Sequence, residues 1–477
     1  MQSPEEVKYV MSAKEWSSEE VEKMLEEHRS FYDTDRTRGY KFRIRRLEKL
    51  KAAIQRYEQP LIEALQEDLG KPAFESYTTE IGFVLSSISE ISKELYRWSK
   101  PQRVGTPLTL AGASSFVINE PYGTVLIIGP FNYPFQLVIE PLIGAIAAGN
   151  CAVIKMSDST PNVSAVVKQL LGDVFEEHYV RVVDGGKDTV EALINASFDY
   201  IFFTGSTKVG KVVAEAAAKN LTPVTLELGG KSPAIVDKQA DIRMAAKRII
   251  WGKLVNAGQT CIAPDYVLVH ESKKVQLIIA LKNAIREFLG EDMWSSPDFA
   301  RIVNEQHFDR LSKILETDKD SVIFGGASDR VTKYIEPTLL EIDSWDAASM
   351  QEEIFGPILP ILTYEDLNDA IRQVNSQPRP LSLYLFTVDE DVQDRVLEKI
   401  PFGGGCINDT LVHVSNPNLP FGGTGASGLG QYHGVHSLRT FSHQKSIVKR
   451  ASAESGSTLF FPPYTEEQLE MARKMLK

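Results

Sequence analysis

The stretch YIFFTGSTKVGKVVAEAAAKN, residues 200–220, decides the fold class of this chain. It begins as a short run of aromatic and β-branched residues, which is typical of a buried strand, and after Gly205 it continues with apolar residues at helical spacing. A turn of small residues between a strand and a helix presents backbone N–H groups, and the positive end of the helix, to an anion. Because the turn GSTKVG lacks the spacing G-x-G-x-x-G, a simple helix start remains open for this motif taken alone.

The same alternation of strand and helix extends on both sides of this stretch. Upstream, short apolar runs predict strands and segments with helical periodicity lie between them: YGTVLIIG, CAVIKM and YVRVVDG for the strands, and PFQLVIEPLIGAIAAG, TPNVSAVVKQLLGDVF and DTVEALINA for the helices. After residue 230 the pattern resumes with AIVD, a helix near 241–256, YVLVH, IFGPILPILTY, SLYLFTV and GGGCIND. Buried strands that alternate with helices indicate parallel, doubly wound sheets. We therefore predict an α/β fold with two doubly wound α/β domains that meet near residues 229–232.

The N-terminal part of the chain has a different pattern. Residues 18–101 show helical periodicity with a serine cap and an acidic first turn at their start. Residues 102–120 are polar and alternating, with no core of their own. We expect this second segment to form an extended arm or hairpin that packs on something else.

The composition limits function and location. A chain of 477 residues is long enough for two or three domains. Its net charge of −12 gives no basic surface for nucleic acid and argues against adhesion to an anionic membrane. Three widely separated cysteines do not suggest a disulfide framework, so we expect a reducing, cytoplasmic compartment. The N-terminal MQSPEEVKYVMSAKEW lacks the apolar core of a signal peptide, and prolines and Glu140 interrupt the most apolar run, residues 123–154, so we expect no integral membrane segment.

Phosphate-loop and metal chemistry are weaker alternatives. The turn after Gly205 also matches the pattern G-x-x-x-x-G-K, but Val212 stands where a Ser or Thr should ligate magnesium. A second near match at residues 230–232 fails because Thr225 replaces the first glycine. His433 and His436 lie three residues apart without a third ligand, so we expect no metal site.

Two residues are candidates for acid–base and nucleophilic chemistry. Glu227 lies in the apolar run VTLELGGKSP, where burial would raise the pKa of an unpaired carboxyl and suit a general base. A glutamate that pairs with a lysine or faces solvent is at least as compatible with this run. Cys261 follows a helix in the turn VNAGQTCIAPDY, an open position of the kind that reactive cysteines occupy. An inert, small apolar cysteine remains the alternative.

Three further segments place polar residues in loops or turns, and two of them, GPFNYPF and KMSD, follow predicted strands, where ligands bind in open parallel sheets. GPFNYPF, residues 129–135, is an irregular loop with Asn132 at its centre, and its amide could donate a hydrogen bond into a cleft. EEIFGP, residues 352–357, places an acid and an aromatic residue before a Gly-Pro turn. KMSD, residues 155–158, places a lysine and an aspartate after a strand.

The order and spacing of these motifs closely resemble the aldehyde dehydrogenase superfamily over essentially the whole chain. The motifs are GPFNYP, the lysine that ends VIK, FFTGSTKVG, LELGGKSP, GQTCIAPDY, EEIFGP and LPFGGTGASGLG. Several details are similar to the class 3 branch: CIAPDY after the candidate nucleophile, NDTLVH before LPFGG, and QYHGVHSLRTFSH near the end.

The resemblance implies a role for each motif residue. Cys261 would be the nucleophile, Glu227 the general base, and Asn132 would form the oxyanion hole with the backbone N–H of Cys261. Contacts to NAD or NADP would come from Lys155 and Glu353 at the riboses, Phe355 beside the nicotinamide, Gly205, Ser206 and Gly210 along the pyrophosphate, and Asp158 and Leu228.

The resemblance also implies an activity. It is the NAD(P)-dependent oxidation of medium- or long-chain aliphatic, or aromatic, aldehydes to carboxylic acids. The route would be a thiohemiacetal on Cys261, hydride transfer, and hydrolysis of a thioester assisted by Glu227. A non-catalytic member that only binds dinucleotide is the alternative, and the intact Cys, Glu and Asn argue against it. Trp251 and Tyr77 are predicted to line the substrate pocket.

The domains follow from the same resemblance. They are a Rossmann-like NAD(P)-binding domain, a catalytic domain, two oligomerisation or bridging segments and a C-terminal tail, with the bounds 1–101 and 121–229, 230–430, 102–120 and 431–450, and 451–477. Because the arm of this family pairs with a neighbouring subunit and class 3 members are typically dimers, we expect a homodimer.

Two features depart from the pattern of the family. Asp158 stands where a Glu usually would hold the adenosine ribose, so the choice between NAD and NADP stays open. Some class 3 members end in an apolar membrane tail, whereas this chain is polar and charged after Tyr464, which predicts a soluble protein. We expect LFFPP, residues 459–463, to pack against the dimer, with a weak membrane or partner contact as the alternative.

Overall fold

The computed structural model describes residues 14–450 and 461–476. Most of the segment MQSPEEVKYVMSAKEW and part of the predicted tail, including the first two residues of LFFPP, lie outside the described residues.

The helices are α1 Ser18–Tyr32, α2 Tyr40–Arg56, α3 Glu58–Leu69, α4 Ala73–Ser76, α5 Gly82–Trp98, α6 Gln136–Ala148, α7 Pro161–Val174, α8 Lys187–Asn195, α9 Thr207–Lys219, α10 Ile242–Leu254, α11 Lys274–Leu289, α12 Glu305–Thr317, α13 Ala348–Gln351, α14 Leu367–Ser376, α15 Glu390–Lys399, α16 Gly434–Thr440 and α17 Glu466–Met475. The strands are β1 Gln102–Val104, β2 Ala113–Pro121, β3 Thr124–Ile128, β4 Cys151–Lys155, β5 Val180–Val183, β6 Tyr200–Thr204, β7 Val224–Glu227, β8 Pro233–Val236, β9 Tyr266–His270, β10 Val322–Phe324, β11 Ser328–Asp329, β12 Tyr334–Ile335, β13 Thr338–Glu341, β14 Ile358–Tyr364, β15 Ser382–Phe386, β16 Gly404–Ile407, β17 Gly428–Leu429 and β18 Ser442–Arg450.

A six-stranded sheet in the order β17-β7-β6-β3-β4-β5 contains the stretch quoted at the start. Its strands run parallel except for β17, which pairs antiparallel with β7. β3, β4 and β6 are buried along their whole length, which explains their continuous apolar runs. The helix α6 connects β3 to β4 and is buried at every position.

The register of this sheet brings several motifs to one edge. Ile128 at the end of β3 pairs with Lys155 at the end of β4, and Thr204 at the end of β6 pairs with Glu227 at the end of β7. Because these strands are parallel, the loop that holds Asn132, the KMSD segment and the GSTKVG turn all begin at the carboxyl edge, where open sheets bind ligands.

A seven-stranded sheet in the order β10-β13-β14-β9-β8-β15-β16 is parallel except for β10. The helix α10 connects two of its central strands, β8 and β9, so the segment that holds Cys261 lies in a crossover between them. The two sheets confirm the predicted α/β fold with two doubly wound units. The domain bounds stay a prediction, and β17 lies on the six-stranded sheet although its residues were assigned to the catalytic domain.

A third sheet joins the two segments, 102–120 and 431–450, that were predicted to be oligomerisation or bridging segments. β1 and β2 come from residues 102–121, and β18 pairs antiparallel with β2 over nine residues, from Ser442 opposite Pro121 to Arg450 opposite Ala113. The two segments therefore pair with each other within one chain. Their role in oligomerisation stays a prediction.

The most apolar run of the sequence, residues 123–154, folds as β3, α6 and β4. Within residues 14–450 and 461–476, no helix is both long and apolar enough to cross a membrane. The described part of LFFPP, residues 461–463, is exposed to solvent.

Candidate active site

Cys261 follows a strained turn at the end of α10. Asn256 and Ala257 have φ values of 53° and 51°, so two consecutive residues with side chains adopt the left-handed conformation. Such strain occurs most often at functional sites, where the surrounding contacts hold it in place. A Cβ on Gly258 would lie 2.3 Å from the backbone oxygen of Gly356, so only glycine lets the EEIFGP loop approach this turn. The turn leaves Cys261 half-buried ahead of β9.

The thiol lies in a site that disfavours its charged form. Burial raises the pKa of Cys261 above its ordinary value, and the nearby carboxyl groups of Glu353 and Glu227 raise it further. The backbone N–H groups of Cys261 and Ile262 lower it in part, because they donate towards the sulfur. These N–H groups can also donate to an oxygen that becomes negative beside the thiol.

Asn132 is buried in the loop after β3, and its side chain contacts the turn that holds Cys261. The Asn132 Nδ2 donates to the backbone oxygen of Gln259 at 3.0 Å. The backbone oxygen of Asn132 accepts from the Nδ2 of Asn256 at 2.8 Å. The two loops are therefore joined by hydrogen bonds in both directions, and a side-chain amide has a second N–H to donate.

Glu227 lies at the end of β7 and its side chain is 2% exposed. Among the described residues, neither carboxyl oxygen has a hydrogen-bond partner. Burial raises the pKa of Glu227 well above its ordinary value. A buried carboxyl without partners costs free energy, so its presence needs an explanation outside packing.

An apolar cavity of about 270 Å³ opens on Cys261. Aromatic and aliphatic side chains form most of its wall: Phe83, Tyr133, Leu137, Trp251, Val255, Ile262, Leu411, Val412, Val414, Phe421 and Tyr432. Trp251, which was predicted to line the substrate pocket, lies in this wall, and the use of the cavity by the substrate stays a prediction. Tyr77 lines a neighbouring pocket, together with Glu140 and His433, and not this one. Most of these lining residues were not predicted from the sequence, because they come from separate segments without a shared motif.

The cofactor candidates at the carboxyl edge have features that fit an anionic dinucleotide. Ser206 caps α9 by accepting the backbone N–H of Val209, and the first turn of that helix has no acidic residue. The buried Lys155 side chain donates to Asp158 Oδ1 and to the backbone oxygen of Met156, both at 2.7 Å. A helix N-terminus without a nearby acidic side chain can bind a pyrophosphate through its positive dipole, and a buried ammonium can donate hydrogen bonds to ribose hydroxyls.

Both glycine candidates, Gly205 and Gly210, also have a packing role in the structure. A Cβ on Gly210 would lie 2.6 Å from the side chain of Leu228, so α9 packs closely on the segment after β7. A Cβ on Gly205 would lie 2.5 Å from the Phe203 ring. Close packing of this kind keeps the helix N-terminus near the sheet edge.

Glu353 and Phe355 lie in the EEIFGP loop, and Glu353 lies so close to Gly229 that a Cβ there would be 2.0 Å from its carboxylate. Burial raises the pKa of Glu353 to about 8, and Asp265 adds to this effect. Phe355 has a φ of 52° and its ring meets Phe131 edge to face at 5.7 Å. The Lys231 ammonium pairs with Asp265 and donates to the backbone oxygen of Glu352 at 3.0 Å, which holds this loop in place.

Within the described residues, no group of three or more His, Cys, Asp or Glu side chains is arranged to hold a metal ion. His433 is buried and its ring meets those of Phe421 and Tyr432. It belongs to an aromatic cluster beside the cavity.

Known proteins resemble this chain over nearly its whole length. The model of the aldehyde dehydrogenase family matches residues 1–447. A 4,4'-diaponeurosporen-aldehyde dehydrogenase from Staphylococcus aureus is 54% identical over 93% of this chain and 96% of its own. Aldehyde dehydrogenase family 3 member H1 from Arabidopsis thaliana is 42% identical over 98% of this chain and 97% of its own.

Solved structures show the same similarity. A substrate-bound structure of Staphylococcus aureus AldH has a TM-score of 0.93 and 52% identity, and the match covers 96% of this chain and 99% of that one. A glyceraldehyde-3-phosphate dehydrogenase from Methanocaldococcus jannaschii, complexed with NADP, has a TM-score of 0.82 and 26% identity over 92% of this chain and 96% of its own.

Proposed function

Because the chain belongs to the aldehyde dehydrogenase family, we propose that it oxidises medium- and long-chain aliphatic or aromatic aldehydes to carboxylic acids with NAD⁺ or NADP⁺. The observation that carries this proposal is the apolar cavity of about 270 Å³ with Cys261 in its wall. Its lining offers few polar partners, which suits an apolar chain or ring with a single reactive carbonyl. The Staphylococcus aureus relative is named for the oxidation of 4,4'-diaponeurosporen-aldehyde, which supports an aldehyde as substrate.

Acylation begins at Cys261. The thiol releases its proton to water, and the thiolate sulfur adds to the aldehyde carbon, which gives a tetrahedral thiohemiacetal whose oxygen carries negative charge. The free N–H of the Asn132 amide and the backbone N–H of Cys261 stabilise that oxygen, and an oxyanion donor of this kind is typically worth about 10²–10³ in rate. Collapse of the alkoxide expels hydride from the carbon and leaves a thioester on the sulfur.

Residues at the carboxyl edge of the six-stranded sheet, together with the EEIFGP loop before β14, would hold the dinucleotide. Lys155 and Glu353 would bind its riboses, Gly205, Ser206 and Gly210 would follow its pyrophosphate, and Leu228 and Phe355 would pack beside it. When bound, NAD(P)⁺ accepts the hydride.

Glu227 completes the reaction as a general base. Its carboxylate takes a proton from a water molecule, the water oxygen attacks the thioester carbon, and the C–S bond breaks to release the carboxylic acid and the thiol. A base in this role must keep a lone pair free for water, and neither oxygen of Glu227 has a partner among the described residues.

We further propose that NAD⁺ is preferred over NADP⁺. Asp158 forms an ion pair with Lys155, and the Glu15 carboxylate, which accepts the backbone N–H of Gly186 at 2.8 Å, lies beside the same glycine as the Asp158 carboxylate. Two carboxylates in this region leave little positive charge for an added phosphate. Wild-type kcat/KM should favour NAD⁺, and Asp158→Asn should shift the ratio towards NADP⁺ about tenfold, while Glu191→Gln on α8 serves as the control. A wild-type preference for NADP⁺ would contradict this assignment.

We also propose a homodimer through the three-stranded sheet of β1, β2 and β18. Light scattering on the full chain tests it, with a mass of two chains expected. A monomer at micromolar concentration would refute it.

The chemical proposal is tested with two variants. Purified protein should reduce NAD⁺ or NADP⁺ with octanal or benzaldehyde, and Cys261→Ser should lose this activity. Asn132→Ala should retain weak dehydrogenase activity, with a kcat about 10²–10³-fold lower than that of wild type. Normal activity of Cys261→Ser would refute the mechanism. Cofactor binding without reduction across a panel of aldehydes would instead support a protein that only binds dinucleotide.

A further inference from the structure

The proposed chemistry needs two loops from different sheets to be held together. Asn132 lies after β3 of the six-stranded sheet, and Cys261 lies between β8 and β9 of the seven-stranded sheet. A misplacement of about 1 Å in an active site can cost about 10² in rate. Three charged side chains that take part in no proposed reaction step contact these two loops: Lys71, Glu75 and Glu80.

Glu75, in α4, holds the loop of the nucleophile. Its carboxylate accepts the backbone N–H of Asn256 at 2.9 Å. Asn256 is fully buried and is the first of the two left-handed residues in the strained turn. Without Glu75, this N–H would be an unpaired donor in the turn that leads to Cys261.

Lys71 and Glu80 hold the loop of Asn132. They form an ion pair in which both side chains are fully buried. Lys71 also donates to the backbone oxygen of Asn132 at 3.1 Å. Glu80 accepts the backbone N–H groups of Phe135 at 2.9 Å and Gln136 at 3.1 Å. The pair therefore fixes the loop at Asn132 and just beyond it.

Asn256 connects the two sets of contacts. Its side-chain amide donates to the backbone oxygens of Asn132 and Gln259, at 2.8 and 3.1 Å. A continuous series of hydrogen bonds thus runs from Glu75 through Asn256 and Asn132 to Lys71. Cys261 lies two residues after Gln259, so its place depends on the same series.

The backbone around Glu80 explains how one segment reaches both loops. Tyr77–Ile81 forms a π-helical turn between α4 and α5. Such turns are rare and occur frequently at functional sites. Within this turn Thr78 and Thr79 line the cavity of Cys261, while Glu80 is fully buried against the Asn132 loop.

We propose that Lys71, Glu75 and Glu80 are positioning residues, which hold the Asn132 amide and the backbone N–H of Cys261 in the relative placement that acylation requires. This inference rests on the proposed function of Asn132 and Cys261. The alternative is a purely architectural role. It predicts less folded protein after substitution, with unchanged chemistry in the protein that does fold.

Single-turnover formation of NADH, with enzyme in excess over octanal, measures acylation and hydride transfer without the later hydrolysis. Glu75→Ala should lower this rate about tenfold, and Glu75→Gln, which keeps an acceptor oxygen, should stay within about threefold of wild type. Glu67→Ala, which removes an exposed carboxylate from the neighbouring α3, is the matched control and should leave the rate unchanged.

The Asn132→Ala background separates positioning from architecture. If Glu75 sets the placement of the Asn132 amide relative to Cys261, adding Glu75→Ala to Asn132→Ala should lower the rate less than it does in wild type, because one of the two groups whose relative placement matters is gone. An equal loss of rate in both backgrounds would show that Glu75 acts independently and would overturn the proposal.

The ion pair is tested with both charges removed together. Replacing both partners of a buried pair by apolar residues is often neutral for stability, whereas removing one leaves an unpaired buried charge. Lys71→Met combined with Glu80→Leu should therefore fold and yet show a single-turnover rate about tenfold lower. Its kcat should fall more than its KM for the aldehyde changes.

The outcomes distinguish the inference from the function on which it rests. A wild-type protein that forms no NADH or NADPH with octanal or benzaldehyde would overturn both. A wild-type protein that does, together with Glu75→Ala at the wild-type single-turnover rate, would overturn the inference alone. The Glu75 series decides the matter even where the double variant does not fold.

Discussion

Glu80 and Glu227 are two buried glutamates near the same loops, and their surroundings differ completely. Glu80 is 0% exposed and is paired with Lys71 and with the backbone N–H groups of Phe135 and Gln136. Glu227 is 2% exposed and, among the described residues, has no partner for either oxygen. Burial alone therefore does not indicate what a carboxyl does in this protein.

A buried carboxyl with hydrogen-bond partners and a buried carboxyl without them therefore serve different functions in this protein. A buried carboxylate with a cation and two N–H donors stabilises the arrangement of the chain around it. A buried carboxyl without donors destabilises the fold, and it keeps its lone pairs available for a proton from water. We assign architecture and positioning to Glu80 and chemistry to Glu227 on this basis.

The largest effect is expected from Glu227→Gln on turnover. The substitution keeps the shape of the side chain but removes the base, so kcat should fall by about 10²–10⁴, while the first equivalent of NAD(P)H still forms. Steady-state and single-turnover rates with octanal measure the two parts. Glu215→Gln, an exposed carboxyl on α9, is the control. Equal loss in both phases would remove the assignment of Glu227 to thioester hydrolysis.

Glu80→Gln should lower the stability of the fold, in addition to slowing acylation as expected of a positioning residue. Leaving the buried Lys71 without its carboxylate should destabilise the fold by about 3–5 kcal/mol. The midpoint of urea unfolding measures this, with Glu67→Gln in α3 as the control. If Glu80→Gln unfolds at the wild-type midpoint, the contrast between the two glutamates has no energetic basis.

The smallest effect is a gain in stability for Glu227→Gln. Burial raises the pKa of Glu227 in the folded protein above its value in the unfolded chain. Its contribution to stability is therefore fully present below the pKa of the unfolded chain and is lost as pH rises through the folded pKa. A glutamine does not titrate, so the variant should gain on wild type as pH rises, by about 1–3 kcal/mol once the carboxyl would be charged.

Unfolding midpoints of both proteins at pH 6 and pH 9 test this sign. The difference between variant and wild type should be larger at pH 9. A difference that shrinks with pH would mean that Glu227 is stabilised as a carboxylate in the fold.

Much of the fold follows from local patterns. The alternation of apolar strands with helices from β3 onward, and the strand–turn–helix unit at Gly205, predict both doubly wound sheets, because buried parallel strands leave continuous apolar runs. The arm at 102–120 was recognised by its lack of a core, and the structure pairs it with β18. The family follows from the order of motifs, and the comparisons confirm it.

The contacts that organise the site do not follow from local patterns. Lys71 meets Asn132 across 61 residues and Glu75 meets Asn256 across 181. Helical periodicity predicts which side of a helix is buried but not which distant backbone group its charged residues reach. Tyr77 begins the π-helical turn and lines a pocket beside the cavity of Cys261, and its place in the substrate pocket stays a prediction. The roles assigned to Cys261, Glu227 and Asn132 stay predictions until they are measured.

The most direct test of the central claim is the covalent state of Cys261 in Glu227→Gln. The variant is mixed with octanal and NAD⁺, quenched in acid, and analysed by intact mass and by peptide mapping. We predict one octanoyl group per chain, attached to Cys261, and no such adduct in Glu227→Gln combined with Cys261→Ser. An adduct on Cys151 or Cys406, or full turnover with no adduct on Cys261, would contradict the account.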